Sequence, residues 1–139
     1  MLPGANVSDR RKGWERNFRD PDIIVILENS RAVDCGTHWL GGPDFLMEIK
    51  SPREVSEAKI PFYSQIQVQE LLIVDRDTRE LGLYRHDGRE LRPVTPSAFK
   101  GGKWLVSSVL PLAFRRKATR SGPRIEVCRT DGRPGRWTV

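Results

Sequence analysis

The segment Pro43-Asp44-Phe45-Leu46-Met47-Glu48-Ile49-Lys50 constrains this chain more than any other. It reads as a buried strand, yet Asp44, Glu48 and Lys50 recur with the two-residue period that places side chains on one face. Phe45, Met47 and Ile49 point the other way. Charged groups are rarely kept in the middle of an apolar strand unless they are paired or bind an ion. A carboxylate beside an amine there points to a metal-assisted site. The plainer alternative is an ion pair, Lys50 with Glu48 or Asp22, that performs no chemistry.

A length of 139 residues suits one domain over 1–139. The longest apolar runs, residues 23–27 and 71–74, fall far short of the roughly 20 residues that span a bilayer. Residues 1–19 hold no apolar segment resembling a signal peptide. The expectation is a cytoplasmic protein with no membrane partner. Cys35 and Cys128 form no CxxC pair and no zinc pattern, so two free thiols are expected. With only His38 and His86, a histidine-rich metal site is excluded, and His38 lies in a loop-like stretch over 37–42.

The net charge of +6 is uneven: residues 115–139 carry +6, residues 1–21 carry +2, and residues 22–114 carry −2. Basic ends attract phosphate backbones without reading sequence; aiding solubility is the other reading. Trp14, Trp39, Trp104 and Trp137 could stack on bases, but core packing is expected for most of them.

Along the chain, residues 1–12 read as a loosely held arm and 115–139 as a basic C-terminal extension. Asp20-Pro21 precedes a β-prone run over 22–27, apolar enough for a strand covered on both faces. A fifteen-residue connection, 28–42, leads to the strand over 44–50. The best helix candidate is 53–67, with Ser56 as a cap. Pro61 conflicts with a continuous helix, at about 3 kcal/mol for an interior proline, so the helix should start or kink there. Lys59 and Tyr63, four apart, would share a face. Residues 70–75 and 80–85 read as a β-hairpin, with further strands over 90–94, 104–110, 124–129 and 135–139.

Strand geometry chooses the partner of Glu48. If 22–27 and 44–50 are antiparallel neighbours, Asp22 lies opposite the Glu48–Lys50 end. Asp44 is about 13 Å from Glu48 along its own strand, at roughly 3.3 Å per residue, too far to share an ion whose oxygen ligands lie at about 2.0–2.6 Å. Asp22 and Glu48 are therefore the candidate metal ligands, and Asp44 a turn or strand-end residue. Two carboxylates suit Mg2+ or Mn2+, with water and phosphate completing the shell. Lys50 could orient or deprotonate an attacking water, or stabilise charge on phosphoryl oxygens.

Arg19-Asp20-Pro21-Asp22-Ile23-Ile24-Val25, Gly42-Pro43-Asp44-Phe45-Leu46-Met47-Glu48-Ile49-Lys50-Ser51-Pro52, Lys59, Tyr63 and Val68-Gln69-Glu70-Leu71-Leu72-Ile73-Val74-Asp75 carry a family likeness. Together, over about residues 19–110, they resemble the Uma2-like family (DUF820) of the PD-(D/E)XK superfamily. The resemblance implies a restriction-endonuclease-like α/β (α+β) fold with a mixed sheet. It implies Asp22 as the proline–aspartate element and Glu48-Ile49-Lys50 as the acid-x-lysine element. Lys59 matches a lysine of the following helix that assists the site or holds phosphate, or else only faces solvent; Tyr63 matches a packing position. Family members have a longer, partly helical segment before this strand, often with another acid; here 21 residues precede Asp22, and Glu15 is the acid placed to substitute.

The leading expectation is an Mg2+-dependent endonuclease hydrolysing DNA phosphodiesters. The alternatives are a nuclease-fold module that binds nucleic acid without cleaving it, or a protein-interaction domain. An incomplete sheet would leave an edge for a second copy to cover, so a homodimer is expected.

Overall fold

The computed structural model describes residues 2–3, 7–8, 18–19, 21–53 and 56–139. Among them run strands β1 (Leu2–Pro3), β2 (Val7–Ser8), β3 (Phe18–Arg19), β4 (Ile23–Val25), β5 (Val33–Asp34), β6 (Trp39–Leu40) and β7 (Phe45–Lys50). A 3-10 turn (Ser56–Lys59) and helix α1 (Ile60–Gln65) follow. The rest is β8 (Glu70–Asp75), β9 (Leu81–His86), β10 (Leu91–Pro93), β11 (Ser97–Phe99), β12 (Gly102–Val106), β13 (Leu112–Thr119), β14 (Gly122–Arg129) and β15 (Arg136–Thr138).

The apolar run at 71–74 becomes the middle of the molecule. Residues Glu70 to Val74 of β8 are all buried, as a strand covered on both faces must be. β8 pairs in parallel with β7, and a parallel pair needs a crossover. The 3-10 turn and α1 supply it. The other neighbours in this six-stranded sheet, ordered β1-β4-β7-β8-β9-β10, are antiparallel, so the sheet is mixed.

Period-two alternation then sorts the side chains into layers. Leu46, Leu71 and Ile73 face α1 and meet Phe62, Tyr63 and Ile66. Phe45, Leu72 and Val74 face a second sheet, ordered β11-β12-β13-β14-β15, and meet Leu105, Phe114 and Ile125. The rings of Phe45 and Phe114 stack at 6.4 Å between centroids. A small third sheet, β3-β2-β6-β5, lies at the margin. The architecture is the expected α/β (α+β) class: a short helix, a mixed sheet and a strand-rich C-terminal half.

The helix begins where the proline demanded. Pro61 sits in the first turn of α1, where a missing N–H costs nothing. Six residues are too few to be helical alone; Phe62, Tyr63 and Ile66 hold the helix by packing. The chain leaves α1 through Gln67 at φ 65°, beside Gly42. A Cβ at Gly42 would lie 2.4 Å from the backbone of both Ile66 and Gln67, so only glycine permits this approach.

Several expectations need correction. The arm over 1–12 lies largely outside the described residues, but Val7 within it is fully buried in the core, so that part is packed. The connection over 28–42 contains β5 and β6. The strand expected over 104–110 spans Gly102–Val106, because Ser107 and Ser108 turn aside to bond Glu70. The stretch 115–139 is not an appendage: Ile125 and Val127 of β14 fill the core. Both cysteines are free, Cys35 exposed and Cys128 buried. Trp104 is buried, Trp39 packs at the core margin and Trp137 is exposed; Trp14 lies outside the described residues.

Two buried carboxylates fasten the second sheet. Glu70 takes the Arg85 Nε at 2.8 Å, the Ser107 hydroxyl at 2.5 Å and the Ser108 amide and hydroxyl at 2.9 Å each. Glu126 accepts from Lys117, Arg115 and Arg136 at 2.6–2.9 Å, and Lys117 foremost pulls its pKa from 4.5 to about 2.

Replacing Gly42 with alanine should cost about 1–3 kcal/mol by forcing backbone apart, read as a lower urea midpoint. Because the Glu126 pKa is depressed on folding, its stabilisation is full above pH 4.5 and disappears as pH falls toward 2. The stability gap between the parent and Glu126→Gln should therefore be wide at pH 7 and close across that window, followed by urea unfolding at several pH values.

Candidate active site at the β4–β7 edge

Antiparallel pairing of β4 and β7 sets Ile23 opposite Met47 and Ile24 opposite Leu46. One step further along the ladder, Asp22 faces Glu48. Directly opposed residues have Cβ atoms about 4.5–5.5 Å apart. The Asp22 Oδ2 accepts the Ile49 amide at 2.7 Å, which clamps this exposed carboxylate to the rim of β7. Asp44 is engaged elsewhere: its Oδ2 accepts the Leu27 amide at 2.8 Å, the strand-end role expected of it.

Glu48 is 1% exposed, on the face of the sheet that α1 covers. Its two oxygens are held from the crossover. Lys59 Nζ donates to Oε2 at 3.2 Å and the Tyr63 hydroxyl donates to Oε1. The i,i+4 spacing of Lys59 and Tyr63 therefore brings both donors to one carboxylate. Tyr63 also packs, fully buried and edge-on to Phe62. Burial raises the Glu48 pKa above its ordinary value; the Tyr63 hydrogen bond and the Lys59 charge offset part of that, while Asp22 adds to it.

Lys50 lies two residues beyond Glu48 on the same face, and its Nζ donates to Glu57 Oε1 at 3.0 Å. That bond leads in raising the Lys50 pKa and also helps lower that of Glu57. The ammonium is thus kept charged, which suits stabilising phosphoryl oxygens better than abstracting a proton from water. Glu57 escaped the sequence reading. Its only signal was an acid in the same helix candidate as Lys59, and nothing in the spacing announces which of the two lysines it meets.

The structure thus brings Asp22, Glu48, Lys50 and Lys59 to one end of the central sheet. Among the described residues no group of three or more His, Cys, Asp or Glu side chains forms a metal site, and Glu15 lies outside them. Two opposed carboxylates nevertheless make an oxygen-only donor set of the kind Mg2+ or Mn2+ takes when water and phosphate fill the remaining positions. A separate cleft of about 660 Å3, lined by Asn29, Arg31, Asp44, Gln65, Gln67 and Gln69 among others, opens at the opposite end of β7. No described helix is long and apolar enough to cross a membrane.

A mixed sheet with a helical crossover, an acid-x-lysine strand and an aspartate on the strand beside it define the restriction-endonuclease-like class. Over residues 4–119 the sequence matches the family described as Uma2, putative restriction endonuclease, and the chain belongs to that family. No curated protein matches it. At the level of class the chain is a nuclease-family protein.

Removing the Tyr63 hydroxyl takes away the leading influence that lowers the Glu48 pKa. In Tyr63→Phe the Glu48 carboxyl should titrate at higher pH than in the parent, observed through its side-chain carbon by NMR. An unchanged or lower value would contradict this account.

Proposed function

We propose that the protein is an Mg2+- or Mn2+-dependent endonuclease that hydrolyses phosphodiester bonds of DNA. The observation that carries this reading is the opposition of Asp22 and Glu48 on neighbouring strands, with Lys50 on the same face and at the same end. A like-charged pair beside a buried acid is a cost to folding, and a divalent cation relieves it. When bound, such a cation supplies Lewis-acid stabilisation of the phosphoryl oxygens and lowers the pKa of water.

The chain's own groups do the rest. Asp22, tied to the Ile49 amide, and Glu48, tied to Tyr63 and Lys59, keep their carboxylates from swinging away. Lys50 presents a charged ammonium toward negative charge developing on the attacked phosphate. Lys59, on the far side of Glu48, is a second cation that a scissile phosphate could meet.

One observation favours a second reading. Both Glu48 oxygens already have donors and Lys50 already has Glu57, an arrangement that is self-sufficient without an ion. In that reading the fold is a nucleic-acid-binding or protein-interaction module without catalysis. The proposal also carries a cytoplasmic location, which the free thiol of exposed Cys35 supports. It carries a homodimer too, which the exposed edge strand β15 supports.

The parent should cleave plasmid DNA only with Mg2+ or Mn2+. Asp22→Ala and Glu48→Ala should each slow cleavage by at least about 100-fold, and Lys50→Met by about 100- to 10,000-fold. Calorimetric titration of Mn2+ should give a stoichiometric signal in the parent and none in Glu48→Ala. Metal-independent cleavage, or cleavage retained in both carboxylate variants, would refute the enzyme reading; DNA binding without cleavage would establish the second.

A further inference from the structure

The longest strand pair in the molecule runs past its neighbours. β13 and β14 are joined by a two-residue turn, Arg120-Ser121, and pair over eight positions from Leu112↔Arg129 to Thr119↔Gly122. β12 reaches only Ala113 and Phe114. On the other side, β15 pairs with 126–128 and Val139 bonds Ile125. From 116 to 124, no described strand flanks the ribbon on either side. Three residue pairs, 117 with 124, 118 with 123 and 119 with 122, at about 3.3 Å each give a projection of about 10 Å.

This projection is uniformly basic. Residues 116–124 contain Arg116, Lys117, Arg120 and Arg124 and no acid. Lys117 stands directly across from Arg124, and like charges in that position destabilise a ribbon. Glu126 meets Lys117 at 2.9 Å, but it is shared with Arg115 and Arg136, so the cluster stays positive. Among the described residues the Arg124 guanidinium has one hydrogen bond, to the Pro123 carbonyl at 3.5 Å. Residues 116–121 are all exposed. Among the described residues Arg120 and Arg124 have no ion-pair partner, so ion pairing does not account for the charge at the end of the ribbon.

Its anchor lies at the edge of the candidate active site. Arg116 Nε donates to the Thr78 carbonyl at 2.8 Å and lies 3.4 Å from Glu80, in the turn between β8 and β9. The same turn is fixed to β7, where the Arg76 amide bonds the Lys50 carbonyl at 2.9 Å. The ribbon therefore leaves the body at the end of the sheets that carries Lys50, Glu48 and Asp22.

We propose that the ribbon over residues 117–124 enters the major groove of duplex DNA, holding a phosphodiester backbone against the edge where Asp22, Glu48 and Lys50 lie. This rests on the DNA-hydrolysing reading given above and names the arm that would dock its substrate. A two-stranded ribbon is one of the elements that a major groove about 12 Å wide and about 8.5 Å deep admits. Its cations would neutralise flanking phosphates, and the exposed Ser121 hydroxyl at the tip could contact a phosphate or base edge, the Thr119 hydroxyl being donated to the Gly122 carbonyl at 2.6 Å.

The test uses the full chain carrying Glu48→Gln, to prevent cleavage, and a fluorescein-labelled duplex followed by anisotropy over a range of NaCl concentrations. Adding Arg120→Ala and Arg124→Ala should weaken binding and reduce the slope of log K against log salt by about 2, since each phosphate contact contributes about 0.9. The paired lysine substitutions at these positions should retain the slope, and thermal unfolding should come no earlier in either variant than in the Glu48→Gln parent. An unchanged slope in the alanine variant, with duplex still bound, would overturn the ribbon alone and leave the nuclease reading intact. Tighter binding of single strands than of duplex would overturn the groove. Failure of the Glu48→Gln protein to bind any DNA would overturn both readings.

Discussion

A carboxylate held at 1% exposure in the strand beside the buried centre of the sheet is the constraint on which the site depends. Glu48 cannot be left unpaired there, because an isolated buried charge is prohibitively costly. Its donors come from the crossover between β7 and β8, and that crossover exists because the two strands run parallel. The same nineteen residues that solve a connectivity problem therefore place Lys59 and Tyr63 over Glu48. Gly42 belongs to this constraint as well, since its close approach to residues 66–68 sets how the chain returns from α1 into β8.

Glu70 and Glu126 show what a buried acid looks like when its work is structural. Each is surrounded by more donors than it has oxygens, and neither has another acid beside it in the sheet. Their networks join layers or stitch strands. Glu48 differs on both counts. It has two donors, and Asp22 faces it and opposes its ionisation. An alanine at position 22 would make the fold easier to form around Glu48, apart from the lost Ile49 hydrogen bond. That local conflict is the kind of departure from consistent folding that marks functional positions.

Much of this geometry was legible in the amino-acid order. Period-two alternation over 44–50 placed Glu48 and Lys50 on one face, and the 13 Å separation along a strand excluded Asp44 in favour of Asp22. Pro61 fixed the start of α1. What the sequence hid was long-range. The Lys50–Glu57 pair depends on how a 3-10 turn lies over β7, which no local periodicity encodes. The division of residues 112–139 into core and projecting halves was equally hidden. Basic composition suggested an appended tail, whereas β13 and β14 turn Phe114, Ile125 and Val127 toward Phe45 and Leu72 on one face, pack Ala113 and Cys128 with Trp104 on the other, and carry their cations mainly at the far end. Glu70 lay within a recognised segment but gave no sign that Ser107 and Ser108 would reach it from 37 and 38 residues away.

The charge balance of the site connects the two proposals. Asp22, Glu48 and Glu57 oppose Lys50 and Lys59 in direct or adjacent contact, leaving one negative charge. Asp75, whose Oδ1 accepts the amides of Asp77 and Thr78 in the turn and whose charge acts on Lys50, adds a second. A phosphodiester would be repelled by that residual charge, whereas a divalent cation would cancel it. The carboxylates alone therefore cannot recruit a polyanion, and long-range attraction has to come from elsewhere on the surface. Among the described residues a concentration of cations anchored to this edge is the ribbon, fixed through Arg116 to the turn that is itself hydrogen-bonded to Lys50. An anionic candidate site beside a cationic arm would separate two proposed tasks that one cluster of side chains cannot perform together: holding a hard cation and attracting the phosphate backbone on which it would act.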